Sequence, residues 1–356
     1  ESAERDALEM VYRKRVEFAV GHTIAVHAEV CSDNLEQATS IRTTVIPEHE
    51  VEVTETPGLN DEDRPELRRL IEEGCLDMKN LAEMDRSDLV AALSILTDDY
   101  DSWIKEQQKR IGNDIKGHDD AANAAMSRCE EVLQRLREGI TTIEQNDEAL
   151  KAFRFANEAM ANQRIRSQYA LRRRRGEDVE LADLEKPKNR SWRSFQLAFL
   201  LLSIPALTDP KHKDRTKPLE AYADLIWFPT GGGKTEAYLG VAAFTMGIRR
   251  LQGNLGGLDN SRGLSVIMRY TLRLLTMQQF QRASTLICAM EVIRRKDSCW
   301  GSEPFSIGLW VGMNVTPNTT EQSHNYIQSR ITGQMPKDSS PCQLSSCPWC
   351  GSEIRP

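Results

Sequence analysis

The stretch Leu225-Ile226-Trp227-Phe228-Pro229-Thr230-Gly231-Gly232-Gly233-Lys234-Thr235 constrains this chain more than any other. An apolar run leads into three successive glycines, and glycine reaches backbone angles that a Cβ forbids. Such a turn curls until several N–H groups point at one centre, which suits a phosphate. Lys234 then sets a compact positive charge against β- and γ-phosphate oxygens. The Thr235 hydroxyl is placed to ligate Mg2+ at the start of the next helix, expected from Thr235 to Leu251. ATP with Mg2+ is therefore the expected ligand of Pro229, Thr230, Gly231, Gly232, Gly233, Lys234 and Thr235, the last two being the catalytic candidates. The bland alternative is a glycine-rich surface turn before Lys-Thr, against which stand the apolar run before it and the helix pattern after it.

A length of 356 residues suggests two or three domains. The pattern divides them into a β-containing N-terminal unit over 1–62, a helical domain over 63–190 and an α/β domain over 191–356. An apolar fraction of 40% with 28% charged residues is that of an ordinary soluble globular protein. The longest apolar run, Phe195 to Leu207, is interrupted by Gln196, Ser203 and Pro205, so no membrane span is expected. Cysteines 31, 75, 129, 288 and 299 show no pairing pattern, which fits a reducing compartment and a cytoplasmic location. The chain begins at Glu1 and ends inside a cysteine motif, so it is expected to be part of something longer. No signal peptide is visible, although a trimmed start would hide one. The net charge of −7 is uneven, with +5 over 225–356 and −12 over 1–224. A nucleic-acid path is expected on the C-terminal side.

Residues 1–15 read as a charged helix. After the stretch 18–30, the stretches 40–46 and 51–54 are rich in β-branched residues with partial alternation, which marks a small β-containing unit. His22 and His27 would point to opposite faces of such a strand, so they read as packing or surface histidines. From about Asp63 to Arg175 the period becomes helical. Leu89, Leu93 and Leu96 follow a plausible N-cap at Ser87, and Leu133, Leu136, Ile140 and Ile143 make a second stripe. Phe153, Ala156 and Met160 make a third, which reads as packed helix rather than recognition surface. Arg172 to Arg175, then acidic residues and Pro187-Lys188, read as a linker or mobile loop.

In the third region Gly263 to Met268 and Phe305 to Val311 are short apolar runs suited to further parallel strands. Phe280, Ala283, Ile287 and Met290 mark one face of a helix as core. Its start carries Arg273, Gln278 and Gln279, with Tyr270 and Thr271 just before, at a strand end where doubly wound sheets bind ligands. Phosphate contacts from these residues would be indifferent to base sequence. A generic helix start is the other reading. Cys347-Pro348-Trp349-Cys350-Gly351, with Cys342 upstream, is a knuckle suited to zinc. Two knuckle thiols supply half a tetrahedral site and Cys342 a third ligand. A redox pair is the rival, without its usual strand-to-helix setting.

Pro-Thr-Gly-Gly-Gly-Lys-Thr at 229–235 resembles motif I of superfamily-2 helicases, a variant in which Phe228 stands where other phosphate loops keep glycine. Gln196, about one helix upstream, resembles that family's aromatic-x-Gln element, which implies contact with the adenine edge. The 269–282 stretch looks like motif Ia, which implies a grip on the DNA backbone. With Phe195–Leu200 and the 347–351 knuckle, these motifs resemble the DrmA helicase-like subunits of bacterial DISARM antiphage systems. The resemblance implies a RecA-like parallel-sheet domain, a DNA-engaging ATPase, a partner defence subunit and a DNA methyltransferase. Downstream of Thr235 no Asp-Glu pair follows an apolar strand, so the hydrolytic base is expected outside this chain. Two other classes fit the same residues: a phosphate-loop ATPase of another family, and a DNA-binding module without turnover.

Overall fold

Most of the regular structure is helical, because long segments keep apolar residues three and four apart while few keep them two apart. The computed structural model describes residues 2–14, 16–46, 56, 58–59, 64–216, 221–227, 232–270, 273–312 and 315–354. In chain order the elements are α1 (Ser2–Tyr12), β1 (Ala25–Cys31), β2 (Asn34–Thr44), α2 (Pro65–Glu72), α3 (Met78–Glu83), α4 (Arg86–Arg110), α5 (Asp119–Gln145) and α6 (Asp147–Arg174). There follow α7 (Leu181–Leu184), α8 (Ser194–Thr208), α9 (Lys213–Thr216), α10 (Lys234–Gln252), β3 (Asn254–Leu255), β4 (Leu258–Asp259), α11 (Arg273–Arg294) and α12 (Thr320–Ile331).

Two compact units form. One joins Glu1–Glu55 to Thr97–Leu136, the other Thr56–Leu96 to Arg137–Pro356, so the helices expected as one domain divide between them. In the first unit β1 and β2 make an antiparallel hairpin, Ala25 opposite Thr44, with its register shifted around Val30. The two-residue turn Ser32-Asp33 joins them, and the expected strand at 51–54 lies outside the described residues. The later part of α4 meets the start of α5 through Gln108 Nε2, which donates to Glu130 Oε1 at 2.6 Å. His118 Nδ1 lies 2.7 Å from Asp6 Oδ1, which ties α1 to the head of α5.

The second unit is built around α6. Asn146 caps it, its side chain accepting from the Ala149 N–H at 2.9 Å. Asp147 and Glu148 lie at its positive end and Arg172–Arg174 at its negative end, matching the macrodipole. Those arginines thus close a helix instead of opening a loop. Phe153, Ala156 and Met160 are completely buried, so the packed-helix reading holds. α3, α10 and α11 all pack against α6, and α8 packs against α10. Asn157, also fully buried, accepts from Trp192 Nε1 at 2.7 Å and donates to the Phe153 carbonyl at 2.9 Å. Just upstream, Arg190 grips buried Asp77 with both carboxylate oxygens engaged, at 2.8 and 3.0 Å.

Among the described residues the sheets are two antiparallel pairs, β1–β2 and β3–β4. The expected parallel sheet is not among them. Residues 221–227, 263–270 and 303–312 form no ladder, and Leu225, Leu264, Ile267 and Trp310 are exposed. An apolar run reports a tendency to be buried, but a parallel strand exists only when a neighbour lies within hydrogen-bonding distance.

Gly139 faces the Leu201 backbone, and a Cβ built there would lie 2.3 Å from that carbonyl oxygen. Glycine-to-alanine ordinarily stabilises a helix interior by about 1 kcal/mol. Here backbone must move, so Gly139→Ala is expected to destabilise by about 1–3 kcal/mol, seen as a lower urea midpoint at unchanged m-value.

Candidate nucleotide-binding site

Gly233 has φ of +88°, a left-handed conformation natural to glycine, and α10 begins at the next residue, Lys234. Pro229, Thr230 and Gly231 lie outside the described residues, as does Phe228. Arg193 Nη1 donates to the Gly232 carbonyl at 2.7 Å, and Gln196 Nε2 donates to the Gly233 carbonyl at 2.7 Å. In a trans peptide the carbonyl and the following N–H point in opposite directions. Both carbonyls are held by the start of α8, so the N–H groups of Gly233 and Lys234 face away from it. They join the N–H groups of the first turn of α10, at the positive end of the helix dipole, an arrangement that attracts anions.

Gln196 is buried, and its Oε1 also accepts from the Arg193 N–H at 2.8 Å. Its amide therefore ties the head of α8 to the glycine turn, through one donated and one accepted hydrogen bond. Two residues past Lys234, Glu236 is 7% exposed. Its Oε1 accepts from Arg164 Nη1 of α6 at 3.0 Å and also from Arg282 Nη2 of α11. Its Oε2 is buried with no hydrogen-bond partner among the described residues. Arg164 is anchored by the Asn189 carbonyl, which accepts from its Nε at 2.9 Å. Burial lowers the Arg164 pKa, Glu236 opposes the shift, and the nearby charges of Arg282 and Arg193 add to it. Three guanidiniums thus gather at the end of the glycine turn.

The residues expected to grip DNA are partly described. Thr271 lies outside the described residues, as does the side chain of Arg273, the first residue of α11. Gln278 is exposed. Tyr270 and Gln279 line a cleft of about 1450 Å3 together with Leu239 and Met246 of α10, Phe280 of α11 and the segment around Trp310. Gln279 Oε1 is buried there without a partner among the described residues, and burial raises the Tyr270 pKa.

At the C-terminal knuckle the Gly351 N–H donates to the Cys347 carbonyl at 2.9 Å and the Cys347 N–H to the Ser352 carbonyl at 2.8 Å. Gly351, at φ of +77°, lies so close to α6 that a Cβ would meet the Ala170 carbonyl at 2.8 Å. Arg166 stacks on Trp349 at 4.5 Å, and Thr285 Oγ1 donates to the Pro348 carbonyl at 3.2 Å. A hydrogen bond with Ser352 lowers the Cys350 pKa, while burial raises that of Cys288, which lies within electrostatic reach of Cys347 and Cys350. Cys342 is exposed. Among the described residues no three His, Cys, Asp or Glu side chains converge on a point that would hold a metal. The knuckle pair fits half of a tetrahedral sulfur site.

Compared with known proteins, the chain is 36% identical to the DISARM protein DrmA of Bacillus paralicheniformis over 98% of its own length. It is a relative of DrmA. It spans 30% of the length of that protein. No protein-family model matches the chain. Among the described residues, no helix is long and apolar enough to cross a membrane.

Arg164, Arg193, Glu236 and Arg282 escaped the motif-based reading. Arg193 and Glu236 sit beside motif residues, whereas Arg164 has no local signal, lying 72 positions from its partner Glu236. Gly233 takes its place for two reasons, its positive φ and the 2.7 Å between a built Cβ and Gln196 Nε2. Gly233→Ala is expected to cost about 1–3 kcal/mol of stability, measured by chemical denaturation, since it must unwind the turn or expel Gln196.

Proposed function

We propose that this chain is the nucleotide-binding part of an ATP-dependent DNA helicase or translocase in an antiphage defence system. What supports the reading most is the end of the glycine turn, where two carbonyls are held by α8 and the opposing N–H groups lead into a helix that begins at Lys234. In this reading Lys234 balances the β/γ-phosphate charge, the turn from Pro229 to Gly233 wraps the phosphates, and Gln196 meets the adenine edge. The Thr235 hydroxyl is the ligand offered to Mg2+, which neutralises phosphate charge when bound. The domain completes a RecA-like parallel sheet from the apolar runs that flank the site. DNA lies along Tyr270, Thr271, Arg273, Gln278 and Gln279, held by its backbone. Cys347 and Cys350, joined by Cys342, hold zinc; the protein works in the cytoplasm with other defence subunits, as relatedness to a DISARM protein suggests.

Lys234→Ala is expected to weaken binding of a fluorescent ATP analogue in Mg2+ at least about tenfold, or about 1.4 kcal/mol, read by fluorescence titration. Unchanged affinity would refute the assignment. The residues after Thr235 lack the paired acids of a hydrolytic site, so residues 1–356 alone are expected to show no steady-state ATP turnover.

A further inference from the structure

Near the end of α6, Arg166, Tyr169 and Arg173 fall at i, i+3 and i+7, so they lie on one helix face. That face meets the cysteine knuckle. Arg166 lies over the Trp349 ring at 4.5 Å and over Tyr169 at 6.0 Å, while Arg173 lies over Tyr169 at 5.8 Å and donates from Nη1 to its hydroxyl at 3.2 Å. Arg174 Nη1 reaches Ser346 Oγ at 3.5 Å. Aromatic rings and neutral oxygens thus hold three guanidiniums that no carboxylate pairs among the described residues. Their neighbours Arg172 and Arg175 differ, lying 3.9 and 4.0 Å from Glu177. The helix macrodipole accounts for cations in the last turn, whereas Arg166 stands two turns before the end of α6. A chain of net charge −7 that pairs Arg164, Arg190 and Arg282 with carboxylates, yet leaves these three without one, presents a positive stripe on an acidic protein.

We propose that this stripe, Arg166, Arg173 and Arg174 beside Trp349, is a second contact surface for the DNA phosphate backbone. It rests on the DNA reading above and extends it to residues outside the helicase-like motifs. Two sets of contacts fix where the stripe lies. Lys151 of α6 meets Asp297, just after α11, at 3.4 Å, and Arg164 of α6 shares Glu236 with Arg282 of α11. The two helices therefore run antiparallel, and the end of α6 lies beside the start of α11, which carries Gln278. The knuckle joins them there, its Pro348 carbonyl accepting from Thr285 of α11 and its Gly351 packed on Ala170 of α6. From Arg166 to Arg173 a helix rises about 10 Å. One strand of a duplex presents about three phosphates over that length. Guanidiniums take phosphate oxygens through two parallel N–H bonds, and those already held against rings lose less side-chain freedom on binding. Such contacts carry no base information, so the stripe adds affinity without sequence preference.

The test is a titration of the full-length protein, without nucleotide, against a labelled single-stranded oligodeoxythymidylate, followed by fluorescence anisotropy across a series of salt concentrations. The double variant Arg173→Ala, Arg174→Ala is expected to bind about tenfold more weakly at about 0.1 M salt, and its plot of log K against log salt to be shallower by about 1.4, the share of two phosphate contacts on a single strand. The double variant Arg173→Lys, Arg174→Lys, which keeps both charges, is expected to hold a slope near that of wild type. Both side chains are exposed, so the fold is expected to survive. Arg174→Gln alone, expected to lose about 0.7 of slope, carries the test if the alanine pair unfolds. Affinity and slope unchanged in the folded neutral variants, or slope lost equally in the lysine pair, overturns the surface and leaves the motor reading standing; a stripe that serves an acidic protein partner gives the first of these results. Wild type that binds no DNA overturns the DNA reading and this surface together.

Discussion

The hydrogen bond from Trp192 Nε1 to Asn157 Oδ1, 2.7 Å long and wholly buried, holds the second unit together at its most demanding point. Asn157 sits mid-way along a helix buried on nearly every side, where an unpaired amide would be costly. Trp192 satisfies it and so fixes the chain just before α8 against α6. The same indole fills the space over Gly240 of α10, where a Cβ would come within 2.8 Å of the ring. One residue therefore sets the spacing of α6, α8 and α10, and Gly232 and Gly233 lie between the start of α8 and the start of α10.

A rigid platform follows from this. The stretch 190–192 is pinned from the other side by the Met78 N–H to the Arg190 carbonyl and by the Trp192 N–H to the Leu76 carbonyl. The Arg190–Asp77 pair adds a charged clasp with both partners largely buried, and such a pair is strongly destabilising to break from one side. Arg193 and Gln196, the two residues that hold the glycine carbonyls, stand directly after this anchor. Of the two, Gln196 is buried, and its bond to the Gly233 carbonyl starts from a backbone position set by that anchor.

The electrostatics around the turn are lopsided for a folded interior. Arg164, Arg193 and Arg282 gather where Glu236 is the carboxylate that meets two of them. Burial weakens the hold of Arg164 on its proton, and its cationic neighbours weaken it further. An excess of guanidinium charge at a helix N-terminus is favourable only if an anion arrives.

Much was legible in the residues alone. Helical stripes at 89–96, 133–143 and 153–160 are the buried faces, because a period of 3.6 is imposed by backbone geometry and needs no distant partner. The glycine turn followed by Lys234 and a helix was readable for the same reason, since both depend on neighbours in sequence. Other features were decided only in three dimensions. Whether apolar runs such as 263–268 pair as strands depends on a partner strand within hydrogen-bonding distance, and among the described residues none forms a ladder with them. Asn157 looked like any polar residue on a helix until Trp192 reached it. Arg164 and Arg282, 72 and 46 positions from Glu236, meet on one carboxylate oxygen because three helices bring them there. Charge has no periodicity that foretells its partner, so only the packing of α6, α10 and α11 selects which arginines surround the site.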